Sequence, residues 1–174
     1  MQDHKKIVVP DKETFYKILN VKLEGLLASE KNWLANISNA SAHLYTNLET
    51  INWAGFYFLN EGELILGPFQ GRTACTRIKI GKGVCGTAVA QKTTQLVPDV
   101  HLFPGHIACD CASNSEIVVP IIKDGFIYGV LDIDSPIKER FDEIDLKYLE
   151  AFVQKLNKYI DWKNISSGIS VVEL

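Results

Sequence analysis

Two apolar, β-branched runs separated only by Asp124-Gly125 constrain the chain more than any other feature. An Asp-Gly pair supplies the positive-φ positions of a two-residue hairpin turn, so residues 116–123 and 126–134 are expected to pair antiparallel. With Lys123 opposite Phe126, an uninterrupted ladder sets residue 116 opposite residue 133. Glu116 is then expected diagonally near Asp132 and Asp134, at the open end of the ladder.

The rest of the chain falls into place around this hairpin. Asp11 can cap a helix in which Phe15, Ile18, Leu19, Leu23, Leu26 and Leu27 repeat at helical spacing. After a break at Ser29-Glu30-Lys31-Asn32, Trp33, Ile37, Ala40, Leu44 and Leu48 form a second stripe. Residues 51–59 and 63–69 read as a first hairpin turning at Asn60-Glu61-Gly62. Residues 71–86 are punctuated by glycine. Residues 87–92 read as a short helix, 95–97 as a short strand and 98–115 as a long loop of the kind that usually carries function. Asp142 can cap a last helix whose buried stripe is Ile144, Leu149, Phe152, Val153, Leu156 and Ile160. The expectation is one α+β domain spanning residues 1–174. It comprises a helical region at 11–48, sheet and loops at 51–134 and a helix at about 142–162, with the terminal helices packed on one face of an antiparallel sheet.

Composition narrows the function classes. The 174 residues are 47% hydrophobic and carry a net charge of -3, which argues against a nucleic-acid partner because phosphate binding wants a basic patch. The first ten residues contain no signal-peptide core, and the apolar stretches are too short to span a membrane. A cytoplasmic protein is expected, in which thiols stay reduced. Its four cysteines, Cys75, Cys85, Cys109 and Cys111, then point to redox chemistry or metal. Arg77, Lys82 and His106 lie near them in sequence, and Cys85 precedes the expected helix start. Cations and helix N-termini both favour thiolate. His101, His106, Cys109 and Cys111 could supply four zinc ligands, but Cys-x-Cys is not the usual knuckle spacing.

Glu116, Asp132 and Asp134 converge at one end of the second hairpin. Carboxylates held close cannot all ionise easily, so such a group can hold and donate a proton near neutral pH. In the first strand Trp53 and Tyr57 point to one face. They could pack the core or cradle a small methyl-bearing group.

These contexts resemble a known family. Ala74-Cys75-Thr76-Arg77-Ile78, Gly83-Val84-Cys85-Gly86 and His106-Ile107-Ala108-Cys109-Asp110 look like the free methionine-(R)-sulfoxide reductases, which are GAF domains. Trp53-Ala54-Gly55-Phe56-Tyr57, Ser113-Asn114-Ser115-Glu116 and Gly129-Val130-Leu131-Asp132-Ile133-Asp134-Ser135 match as well. The resemblance runs from Phe15 to about Trp162. It implies reduction of free methionine-(R)-sulfoxide to methionine, with Cys109 as nucleophile passing through a sulfenic acid. Cys75 would resolve it as a disulfide, Cys85 would assist, and thioredoxin would be the reductant. Glu116 and Asp134 would serve the sulfoxide oxygen and Asp132 would support substrate binding. Trp53 and Tyr57 would hold the methyl group. The substrate carboxylate would meet backbone N–H groups of the turn containing Val84. No metal or organic cofactor is required, and a homodimer through the terminal helices follows by the same analogy. Cys111 departs from the family pattern and leaves open which cysteine resolves. The rival readings are a non-enzymatic GAF module that binds a small ligand, and a thiol or zinc redox sensor.

Overall fold

The computed structural model describes residues 6–105 and 112–167. The chain begins with α1 (Lys12–Ala28), capped by Asp11, whose carboxylate accepts the Thr14 N–H at 2.8 Å. In α2 (Trp33–Asn47), Asn32 caps the helix by accepting the Ala35 N–H at 3.0 Å. Next come β1 (Trp53–Asn60), β2 (Glu63–Gly71), β3 (Arg77–Lys79), α3 (Gly83–Gln91) and β4 (Gln95–Val97). A single 3-10 turn, Val100–Leu102, interrupts the expected long loop. Then β5 (Ser115–Lys123), β6 (Phe126–Ser135) and α4 (Glu143–Tyr159) complete the core. Asp142 caps α4 as expected, and Asp145 reciprocates it in a capping box.

The six strands form one sheet in the order β3-β2-β1-β6-β5-β4, and every pairing is antiparallel. Strand alternation divides the side chains between its two faces. Ala54, Phe56 and Phe58 of β1, Ile117, Val119 and Ile121 of β5, and Leu131 and Ile133 of β6 pack under α1, α2 and α4. Trp53 and Tyr57 of β1, Val118 of β5 and Val130 of β6 pack with Val84, Cys85, Ala88 and Val89 of α3 on the other face. The terminal helices therefore do share one face, while α3 covers the opposite one.

Three sequence expectations change. β3 lies within the stretch read only as glycine-punctuated, and α3 begins at Gly83 rather than near Thr87. The ladder of the second hairpin is also not uninterrupted. Asp124 and Gly125 have φ of 53° and 80°, as a type I′ turn requires, and Lys123 pairs with Phe126. Ile122 then pairs with Ile127 but Ile121 with Gly129, so Tyr128 is the extra residue of a β-bulge. Beyond it Glu116 pairs with Asp134, not with residue 133. In a two-residue period a one-residue slip moves a side chain to the other face. The bulge thus puts Glu116, Asp132 and Asp134 on the α3 face together. Gly129 pairs with Phe58 of β1, and a Cβ there would lie 2.1 Å from the Tyr57 carbonyl oxygen.

Among the described residues, no helix is long and apolar enough to cross a membrane.

Candidate active site

The site lies on the α3 face, where β1, β5, β6 and the start of α3 meet. β6 contributes Asp132 and Asp134, β5 contributes Glu116, and α3 contributes Cys85 from its third residue. Glu116 and Asp132 are each only 6% exposed and Cys85 only 3%; Asp134 is half-buried. One donor atom each from Cys85, Glu116 and Asp132 lie within 4.8 Å of one another. The Cys85 thiol makes a long contact of 4.0 Å to Glu116 Oε1. Asp132 Oδ1 is buried without a hydrogen-bond partner among the described residues.

Burial decides the protonation of this group. Desolvation pushes the Glu116 carboxyl well above its ordinary value, and the negative charges of Asp132 and Asp134 push it further. Asp132 is raised to about 6, mainly by burial, against which hydrogen bonds from Cys85 and Glu116 act. Both carboxyls therefore hold a proton to higher pH than ordinary carboxyls do, and they titrate as a coupled pair. A carboxyl whose hold on its proton is raised in this way can donate that proton to a basic oxygen.

Cys85 differs from the sequence expectation. The expected helix start lay beyond it and neighbouring cations were to favour its thiolate. It stands instead inside α3, and burial together with the facing carboxylates Asp132 and Glu116 raises its thiol well above the ordinary range. Arg77 reaches Glu63 at 3.5 Å rather than a thiol. Cys85 is thus a protonated thiol that donates to the acids.

Trp53 and Tyr57 share the face as expected, with ring centroids 5.8 Å apart, and Phe69 extends the stack at 5.2 Å from Trp53. Sequence reasoning missed what their polar ends do. Trp53 Nε1 donates to the Arg72 carbonyl at 3.1 Å and the Tyr57 hydroxyl donates to the Cys75 carbonyl at 3.0 Å. The aromatic pair thereby moors the loop between β2 and β3 that carries Cys75. Buried Trp and Tyr residues ordinarily find such partners, but no local signal says which carbonyls they reach. Cys75 is half-buried and disulfide-bonded, whereas Cys85 is a free thiol. Val84 is buried in the first turn of α3. His101, weighed as a zinc ligand, is exposed and its Nε2 lies 3.0 Å from Asn114 Oδ1. The expected nucleophile Cys109, and with it His106 and Cys111, lies outside the described residues.

A six-stranded antiparallel sheet with α3 over one face and the terminal helices over the other, enclosing polar groups beneath α3, is the architecture of a GAF domain. The chain belongs to the GAF domain family, which it matches over residues 34–160. It is 50% identical over 163 residues to the free methionine-R-sulfoxide reductase of Escherichia coli, covering 92% of this chain and 99% of that protein. The fRMsr of Staphylococcus aureus in its reduced form superposes with a TM-score of 0.81 at 54% identity, covering 89% of this chain and 99% of that one. The free methionine-R-sulfoxide reductase of Neisseria meningitidis, solved in complex with its substrate, gives 0.88 at 41% identity, covering 94% and 99%. Within the GAF domains, the chain is a member of the free methionine-R-sulfoxide reductase family.

Proposed function

We propose that this protein reduces free L-methionine-(R)-S-oxide to L-methionine, repairing the oxidised amino acid. The observation that carries the reading is the buried carboxyl pair of Glu116 and Asp132, set beside Asp134 on the face walled by Trp53 and Tyr57. A sulfoxide oxygen leaves its sulfur only when protonated, and burial raises the affinity of this group for a proton in a site screened from water.

In the mechanism, the Cys109 thiolate attacks the sulfoxide sulfur while Glu116, with Asp134, delivers a proton to the oxygen. Asp132 holds the pair's negative charge and supports substrate binding. Methionine departs with its sulfur reduced by two electrons, and Cys109 keeps the oxygen as a sulfenic acid, oxidised by two. The Cys75 thiol then displaces that oxygen as water and forms a disulfide with Cys109. The disulfide state of Cys75, and its carbonyl's tether to Tyr57, support this role. Cys85 assists the exchange. Thioredoxin, a dithiol reductant of the cytoplasm, returns both thiols. Trp53 and Tyr57 hold the substrate's methyl group, and its carboxylate meets the N–H groups around Val84 at the start of α3. A homodimer is part of the same reading.

The test is to mix the reduced protein with each methionine sulfoxide epimer and count thiols. Loss of two thiols per methionine released, with the R epimer of the free amino acid only, is expected. Cys109→Ser should release no methionine, and Cys75→Ser should give one turnover without recycling. No thiol loss, or equal loss with a peptide-bound sulfoxide, overturns the proposal.

A further inference from the structure

Cys85, Glu116 and Asp132 make a donor set that the reductase reading uses only for protons. We propose that in the reduced protein these three side chains form a binding site for a thiolate-seeking divalent cation such as Zn²⁺, and that this ion excludes the substrate. The exclusion rests on the functional reading above; the binding does not.

Four observations carry it. The donors are a sulfur and two carboxylates, the mixed soft and hard set that zinc accepts. Each comes from a different regular element (α3, β5 and β6), so the arrangement is held by the framework rather than by a loop. Their spacing also fits. In a tetrahedral zinc site, bonds of about 2.3 Å to sulfur and about 2.1 Å to oxygen put neighbouring donors about 3.4–3.6 Å apart. Cys85 Sγ and Glu116 Oε1 stand 4.0 Å apart and all three donor atoms lie within 4.8 Å, so rotamer adjustments of an ångström close the site. Asp132 supplies the independent sign of a missing ligand. It is 6% exposed, and its Oδ1 has no hydrogen-bond partner among the described residues. A buried acceptor without a partner is costly, and a cation satisfies it.

Coordination balances simply. The ion takes the place of the Cys85 thiol proton and the proton held by the carboxyl pair, both of which go to solvent, and no electrons move. Three protein ligands leave a fourth position open to an exogenous ligand. A sulfoxide whose oxygen must reach Glu116 then finds that carboxylate already committed.

The test uses Co²⁺ as a spectroscopic probe in a Cys75→Ser, Cys109→Ser, Cys111→Ser background, where Cys85 is the only thiol. One equivalent should bind with a cobalt–thiolate charge-transfer band, which Zn²⁺ then bleaches. Cys85→Ser should remove the band, and Glu116→Gln with Asp132→Asn should weaken binding at least 100-fold, with circular dichroism confirming that each variant is folded. Absence of the band, or its persistence in the carboxamide variant, overturns the site. In the reduced native chain, Zn²⁺ should raise the apparent KM for free methionine-(R)-sulfoxide without lowering kcat. Cobalt binding without this competition overturns the exclusion. A chain that never turns over substrate counts against the functional reading and leaves the cobalt titration to stand or fall by itself.

Discussion

Replacing Asp132 by Asn should make the reduced protein more stable at neutral pH while weakening its acid pair. The native carboxyl titrates at about 6 against an ordinary 3.8, because it is buried. Between those values the folded state binds more proton than the unfolded one, so stability falls as pH rises through the window. A shift of about two units corresponds to about 3 kcal/mol of destabilisation once both states are ionised. At 6% exposure the group is too buried for solvent screening to discount this figure much. Integrating the same two titrations, about half of the cost is present at pH 5 and under about 1 kcal/mol at pH 4. Asn carries no charge and its oxygen still accepts from Cys85, so the variant should escape the cost. Urea unfolding of both proteins under reducing conditions from pH 4 to 8 reads this directly. The expected result is a stability gain that grows from near zero at the acid end to about 3 kcal/mol at pH 8, with a loss of activity. A gain independent of pH, or a variant less stable at pH 8, would refute the claim that burial of an ionised Asp132 costs the fold.

Other perturbations probe the framework. Tyr57→Phe keeps the ring but removes the hydroxyl that holds the Cys75 carbonyl at 3.0 Å; it should cost about 1 kcal/mol and slow the second methionine released more than the first, measured by rapid quench. Asp145 is fully buried and accepts from Tyr16 at 2.6 Å, from Arg140 at 3.3 Å and from Lys12. Asp145→Ala strands those partners and should cost about 3–5 kcal/mol in urea unfolding. Gly129→Ala pushes a methyl against the Tyr57 carbonyl and the Phe58 Cα, 2.1 Å and 2.9 Å away. It should cost about 1–3 kcal/mol and lower activity by parting β1 from β6, and an unchanged Tm would count against so tight an approach.

What was legible in the sequence is what local chemistry decides. Asp11 and Asp142 start their helices by hydrogen bonds within three residues, and Asp124-Gly125 sets its turn by its own backbone angles. The same locality explains the failures. Gly83 and Gly86 look like turn residues in one dimension, yet Gly83 opens α3 at a positive φ of 60° and Gly86 packs against the end of β3, where a Cβ would lie 2.3 Å from the Lys79 carbonyl oxygen, and Cys85 goes inside with them. β3 is three residues long and exists through its pairing with β2, so no periodicity announces it. The bulge at Tyr128 has no composition signature; it is visible only once both strands are paired. The identities of Glu116, Asp132, Asp134 and Cys85 could be read in advance, but the direction of the Cys85 shift could not. Burial is a tertiary fact, and it overrides the nearby cations.

The bulge also explains why these acids end on the same side. In an uninterrupted ladder Glu116 would face Ile133, whose side chain lies in the apolar cluster beneath α1, α2 and α4. A carboxyl there would meet only hydrocarbon and lose its hydration without gaining a partner, at a cost of several kcal/mol. Ile117 would in exchange turn towards Asp132 and Asp134. Inserting Tyr128 as an unpaired residue sacrifices one step of the ladder and returns Ile117 to the apolar face and Glu116 to the acids. On that face Glu116 is still desolvated, but it can share a proton with Asp132 and accept from Cys85. The core's demand that the isoleucines face the helices and the site's demand that three acids meet are therefore met by the same one-residue shift. The register that brings the three acids together is the one that packing of the core already imposes.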